Sequence, residues 1–139
     1  MAGVALCFML ASFSFMRGGD SYSILLNNKE VAKYYVFSKD PLPSLSLEAN
    51  ASSQLSVYYS ECGKIGTSRK LSLRDEQNKI LKEWKFTDVL NVNTPMTVKA
   101  SEFGVTANQL SLYYTSAVVP DGRKLADLTI LAKQKTASR

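Results

Sequence analysis

The heptapeptide QLSVYYS, at residues 54–60, occurs a second time in the chain as QLSLYYT, at residues 109–115. A further echo follows each copy, because RKL stands at residues 69–71 and again at residues 123–125. In both heptapeptides apolar and polar side chains alternate with a period of two, which is typical of a β-strand with one buried face. The repeat therefore predicts a duplicated β unit.

The rest of the chain continues this β pattern. From residue 21 onward, short apolar segments alternate with turn residues at the spacing of a β-sandwich or barrel. Asn27 and Asn28 predict a tight hairpin, since asparagine tolerates the positive φ of such turns. Residues 30–38 are apolar on both faces, which favours a central strand, and Trp84 is the expected core anchor. We predict an all-β fold, a single small sandwich of two duplicated antiparallel units with pseudo-two-fold symmetry and one short helical turn after residue 99.

The chain length of 139 residues fits one domain. The first 16 residues form a nearly continuous apolar run, which is shorter than the roughly 20 residues of a transmembrane helix. Small residues follow the run, as after the apolar region of an export signal. We predict a signal peptide at residues 1–19, a sandwich domain at 20–132 with copies at about 22–86 and 95–132, and a frayed basic tail at 133–139. A buried N-terminal strand or helix is the alternative, and no transmembrane segment is expected once the leader is removed.

The composition argues against most catalytic classes. The net charge is +5, but lysine and arginine are scattered without a basic block, so we expect no nucleic-acid binding. The chain has no histidine, the commonest general acid or base near neutral pH and the commonest zinc ligand. It has no cysteine cluster, no phosphate-binding glycine loop and no calcium-loop spacing. We predict that the protein is not an enzyme and holds no cofactor or metal.

Cys62 is the only cysteine left after removal of the leader, so it has no partner for an internal disulfide. We expect it to be buried as a small apolar residue. The alternative is a reactive thiol, which would make the protein a thiol-dependent enzyme or a redox accessory protein. Glu61 and Asp75 are candidates for a glycosidase-type carboxylate pair, but such a pair needs a cleft and a set separation that the sequence does not show.

Tyr58 and Tyr113 are the candidate ligand-binding residues. They stand at equivalent places in the two heptapeptides, on the strand faces opposite Leu55 and Leu110. Outward tyrosines can stack on a sugar or anchor a protein interface while the hydroxyl stays hydrated. The alternative is ordinary packing of both rings within the sandwich.

Three stretches resemble the sequences of small exported bacterial proteins: YYSECG at residues 58–63, LKEWKF at residues 81–86, and LSLYY at residues 110–114. The resemblance covers most of the chain after the leader. It implies export and a β fold, and it carries no functional residue.

These observations predict a non-catalytic, exported binding or structural module of the cell envelope, located in the periplasm, on the cell surface or in the medium. An envelope protein or a surface glycan is the expected partner. We expect a monomer or a weak homo-oligomer. A third hypothesis is a subunit whose exposed edge strands pair with a larger assembly.

Overall fold

The computed structural model describes residues 19–49, 52–90, 94–104 and 107–131. Residues 1–18 of the predicted signal peptide, including Cys7, lie outside the described residues, as does the predicted tail at 133–139. The described part of the chain forms nine strands. In order they are β1 (Ser21–Leu26), β2 (Lys29–Tyr35), β3 (Ser44–Glu48), β4 (Gln54–Ser60), β5 (Lys70–Arg74), β6 (Ile80–Lys85), β7 (Met96–Lys99), β8 (Ala107–Thr115) and β9 (Arg123–Leu131), with a 3₁₀ turn, Ala100–Glu102, after β7.

The strands form two sheets that pack face to face, which confirms the prediction of an all-β sandwich. One sheet has four strands in the order β2-β1-β4-β7, and the other has five in the order β3-β9-β8-β5-β6. All pairings are antiparallel except β3 with β9, which run parallel.

The two heptapeptides supply the centre of the core. Leu55, Val57 and Tyr59 of β4 are buried, as the alternation predicted. The equivalent residues of β8, which are Leu110, Leu112 and Tyr114, are buried against them. Each heptapeptide lies in a central strand, and the two strands belong to opposite sheets.

The topology does not confirm the duplicated units beyond these two strands. After β4 the chain crosses to the other sheet, so that β5, which begins within the first RKL at Lys70, does not pair with β4. After β8 the chain turns back within the same sheet, and β9, which carries the second RKL, pairs directly with β8. The two copies differ in the connection that follows the heptapeptide. After β8, residues 116–122 close a hairpin, in which the N–H groups of Ser116 and Gly122 donate hydrogen bonds to the carbonyl of Val119.

Two smaller predictions were wrong. The strand after Asn28 is an edge strand and not a central one, because β2 pairs only with β1. Only one of its two apolar faces is inward, where Tyr34 packs against Tyr22 with ring centroids 5.5 Å apart, whereas Val31 and Tyr35 are exposed. Trp84 lies on edge strand β6 and is only partly buried, in edge contact with Phe103 at 5.4 Å. Tyrosines take the central volume that we assigned to Trp84.

All four edge strands carry features that oppose pairing with another chain. Strands β2 and β6 are bulged, with Val31 and Leu81 as the extra residues. Strands β3 and β7 have only five and four residues. Bulges and short edges are the devices by which native sheets avoid edge-to-edge association. These features weigh against the hypothesis of assembly by strand addition.

Candidate functional site

Tyr58 and Tyr113 lie on opposite outer surfaces of the sandwich. The next residue in each strand, Tyr59 or Tyr114, points between the sheets, where the two rings stack with centroids 3.8 Å apart and planes 12° from parallel. Successive side chains of a strand point to opposite faces, so Tyr58 and Tyr113 point away from each other. The structure does not bring the two predicted residues together, and each must be assessed as a separate site.

Tyr113 borders a groove on the outer face of the five-stranded sheet, with a volume of about 510 Å³. Strands β8 and β9 form its floor, β3 forms one wall, and the turn between β5 and β6 forms the other. The lining is mostly polar and includes Ser46, Asp75, Asn78, Gln109, Ser111 and Asp127. The volume lies within the range of roughly 300–1,000 Å³ for small-molecule sites, although most such sites are more apolar.

The Tyr113 ring is held in one orientation by Arg74. The Arg74 guanidinium lies over the ring, with its central carbon 4.0 Å from the ring centroid. Arg74 Nη1 also donates a hydrogen bond of 3.1 Å to Asn78 Oδ1. Gly122, at φ +88°, packs against the pair, and a Cβ there would lie 2.7 Å from Arg74 Nη2. One face of the ring is therefore covered, and binding in the groove would cost little loss of Tyr113 side-chain entropy.

Three of the four charged side chains that line the groove, Lys124, Asp127 and Asp75, make contacts within the protein. Lys124 Nζ pairs with Asp127 Oδ1 at 2.6 Å. Asp75 Oδ1 accepts 2.9 Å hydrogen bonds from the N–H groups of Gln77 and Lys79, which shape the wall. Over the described ranges, no group of three or more histidine, cysteine, aspartate or glutamate side chains is placed to hold a metal ion. The groove thus offers hydroxyl, amide and carboxylate groups, and its lining is acidic, with Asp75, Glu76 and Asp127 against the single cation Lys124.

Tyr58 borders a smaller cavity of about 210 Å³ at the opposite surface. Strand β7 pairs with β4 only as far as Val57, so the last residues of β4 have no strand on that side. Ser21, Ser60, Ile65 and Thr94 are among the lining residues. This cavity has fewer polar side chains to recognise a hydrophilic ligand than the Tyr113 groove.

Buried tyrosines form hydrogen bonds with two carboxylates at one end of the sandwich. Tyr59 donates to Asp20 at 2.8 Å, and Tyr114 donates to Glu61 at 2.5 Å. Burial, with these hydrogen bonds, raises the pKa of both hydroxyls above the ordinary tyrosine value. Burial also raises the pKa of Tyr22, which stacks on Tyr59 at 5.9 Å. The period-two pattern placed Tyr59 and Tyr114 inside, but no sequence signal indicated their carboxylate partners.

Glu61 and Asp75 do not form a carboxylate pair. Glu61 lies near the end of β8, where its carboxylate accepts hydrogen bonds from Tyr114 and Ser116. Asp75 follows β5 at the other end of the sandwich, where Arg74 pairs with Ser111. The length of the β5–β8 pairing separates the two carboxylates, so they cannot act on one bond.

Cys62 is exposed, which corrects the expectation that it is buried. It occupies a tight turn with φ 52°, followed by Gly63, and this turn carries the thiol outside the core. The thiol lies 3.6 Å from Asp20 Oδ1. Desolvation, the hydrogen bond to Asp20 and the negative charges of Asp20 and Glu61 raise the pKa of Cys62. A raised pKa lowers the thiolate fraction, so these surroundings do not suit a nucleophile.

We expect Cys62 to react with a neutral alkylating reagent at pH 7 more slowly than free cysteine does. Asp20→Asn should increase the rate, because it removes a negative charge beside the thiol and lowers its pKa. The measurement is the rate of alkylation of the folded protein across neutral to alkaline pH. A wild-type rate above that of free cysteine would instead support the thiol-dependent alternative.

The described residues thus define a small all-β sandwich with a polar groove on one outer face. No described helix has the length and apolar character needed to cross a bilayer. Comparison with family models, with curated proteins and with solved structures found no match to this chain.

Proposed function

We propose that this protein is a non-catalytic, exported module of the cell envelope that binds a glycan in the groove beside Tyr113. The observation that carries the proposal is the groove itself, in which a pre-oriented tyrosine stands among hydroxyl, amide and carboxylate side chains. Export is supported by the apolar leader, and a binding role by the absence of histidine from the sequence.

The polar lining supports a hydrophilic ligand. A sugar presents hydroxyl groups that both donate and accept, and the groove offers partners of both kinds in Asn78, Gln109 and Ser111. Sugar rings also carry apolar C–H faces, against which a tyrosine ring can pack. An apolar ligand would leave these polar side chains without partners, at a cost of about 1–3 kcal/mol for each group that becomes buried.

Tyr113→Ala is expected to weaken glycan binding by at least about tenfold, or about 1.4 kcal/mol. Tyr58→Ala is the matched control, because it removes the same ring from the opposite surface and should leave affinity unchanged. The measurement is a glycan-array screen of the wild type, followed by titration of the selected glycan against both folded variants.

The outcomes separate the hypotheses. Loss of binding in Tyr58→Ala alone would transfer the site to the smaller cavity. Equal affinity in all three proteins would remove both tyrosines from the binding site. Capture of an envelope protein by the wild type, with no glycan bound, would make a protein the ligand instead.

A further inference from the structure

Strand register places carboxylates on two sides of the groove floor. Ser111 on β8 pairs with Asp127 of β9 on one side and with the last residue of β5 on the other. Asp75 and Glu76 come directly after that residue, in the turn that forms a wall of the groove. Alternate residues of a strand share a face, so Ser111 lies beside Tyr113 along the floor, about 7 Å away. A ligand that packs against the Tyr113 ring and extends over Ser111 therefore passes between carboxylates.

These carboxylates keep oxygens for a ligand. Lys124 Nζ contacts Asp127 through Oδ1, and the two backbone hydrogen bonds to Asp75 also end on its Oδ1. Each of the two carboxylates thus has a second oxygen that those contacts do not use. Glu76 is exposed, and its carboxylate makes no hydrogen bond or ion pair with the described residues.

The negative charge is a local property of the groove. The lining has three carboxylates and one ammonium group, whereas the chain as a whole has a net charge of +5. The Arg74 guanidinium adds a positive charge beside the groove, but Arg74 is only 8% exposed, lies against the Tyr113 ring and is not part of the lining. A cationic ligand is therefore favoured in the groove and an anionic one is disfavoured.

We propose that the glycan bound beside Tyr113 carries protonated amino groups, as a de-N-acetylated hexosamine polymer does. This inference rests on the proposed function, because it assigns the ligand class of the same groove. One sugar would pack against the Tyr113 ring, and an ammonium group of the glycan would lie over Ser111, between Asp127 and the carboxylates of the turn. An ammonium group has three donors and a positive charge, which suit carboxylate oxygens, whereas an N-acetyl group is neutral.

The three carboxylates are partly exposed, so the expected preference is moderate. We expect the amino form of a glycan to bind roughly tenfold more tightly than its N-acetylated form at low ionic strength. The preference should shrink as salt is added, because charges in an open groove are screened. Packing against Tyr113 does not depend on charge and should contribute to the binding of both forms.

The experiment compares a glucosamine tetramer with its N-acetylated form by calorimetric titration of the full chain. At about pH 6 the amino groups are protonated. Glu76→Gln should reduce the preference for the amino form roughly threefold, because it removes one charge from a side chain without other contacts. Glu30→Gln is the matched control, since it makes the same change at an exposed position of β2 in the other sheet, and it should leave the preference unchanged.

The results distinguish this inference from the proposed function. Equal affinity for the two tetramers, or tighter binding of the N-acetylated one, would overturn the inference, while loss of that binding in Tyr113→Ala would still support the glycan site. A preference that falls equally in both glutamine variants, or in neither, would also overturn it, since the groove would not be its source. Binding of neither tetramer would reject the amino glycan, and the glycan array tests separately whether the groove binds another sugar.

Discussion

Tyr114→Ala is expected to lower the free energy of unfolding by about 3–5 kcal/mol, the range for aromatic-to-alanine substitutions in cores. Tyr114 is fully buried and stacks on Tyr59 at 3.8 Å, so its removal opens a cavity between the sheets. The substitution also removes the hydrogen bond that Tyr114 donates to Glu61. In this cluster Glu61 would then keep only the hydrogen bond from Ser116. The measurement is urea-induced unfolding followed by circular dichroism.

Tyr113→Ala is the control for that substitution, since it removes the same side chain one position earlier in β8. It should cost less than half as much, because the Tyr113 ring is outside the core and its contact with Arg74 is worth about 0.5–1 kcal/mol. Equal losses in the two variants would show that the outer face contributes to stability as much as the interior does.

Stability is expected to fall steeply above pH 10, by about 4 kcal/mol per pH unit. Tyr22, Tyr59 and Tyr114 have raised pKa values in the fold, whereas the unfolded chain loses these protons near pH 10. The stabilisation is complete below the unfolded pKa and is lost as pH rises towards the folded pKa values. Three protons at about 1.4 kcal/mol per pH unit each set the slope. Urea unfolding at a series of alkaline pH values measures it.

Tyr114→Phe tests the origin of this slope. The variant keeps the stacked ring but has no hydroxyl to ionise, so the slope should fall by about one third. At neutral pH it should be less stable by about 1.5–3 kcal/mol, because the hydrogen bond to the Glu61 carboxylate is lost. An unchanged slope would show that Tyr114 ionises in the folded state as easily as in the unfolded chain.

The sequence alone predicted the features that depend on local alternation and turn chemistry. The period of two in both heptapeptides placed Tyr59 and Tyr114 inside and Tyr58 and Tyr113 outside, because side-chain direction in a strand follows from position. Asn27 and Asn28 predicted their hairpin correctly, with φ values of 51° and 66°. These features need no knowledge of which strands are neighbours.

Only the tertiary structure decided which strands meet and what lies between them. A repeated heptapeptide makes two strands similar, but the connections after them differ. The first leads to β5 in the opposite sheet, and the second leads to β9, which pairs with β8 in the same sheet. The groove depends on that order, since its walls come from β3 and from the β5–β6 turn, which are far apart in the chain. The contacts of Glu61 with Tyr114 and the exposure of Cys62 follow from the crossing loop. Long-range contacts of this kind arise from the packing of two sheets. The local pattern of one strand does not indicate which residues of the other sheet it will contact.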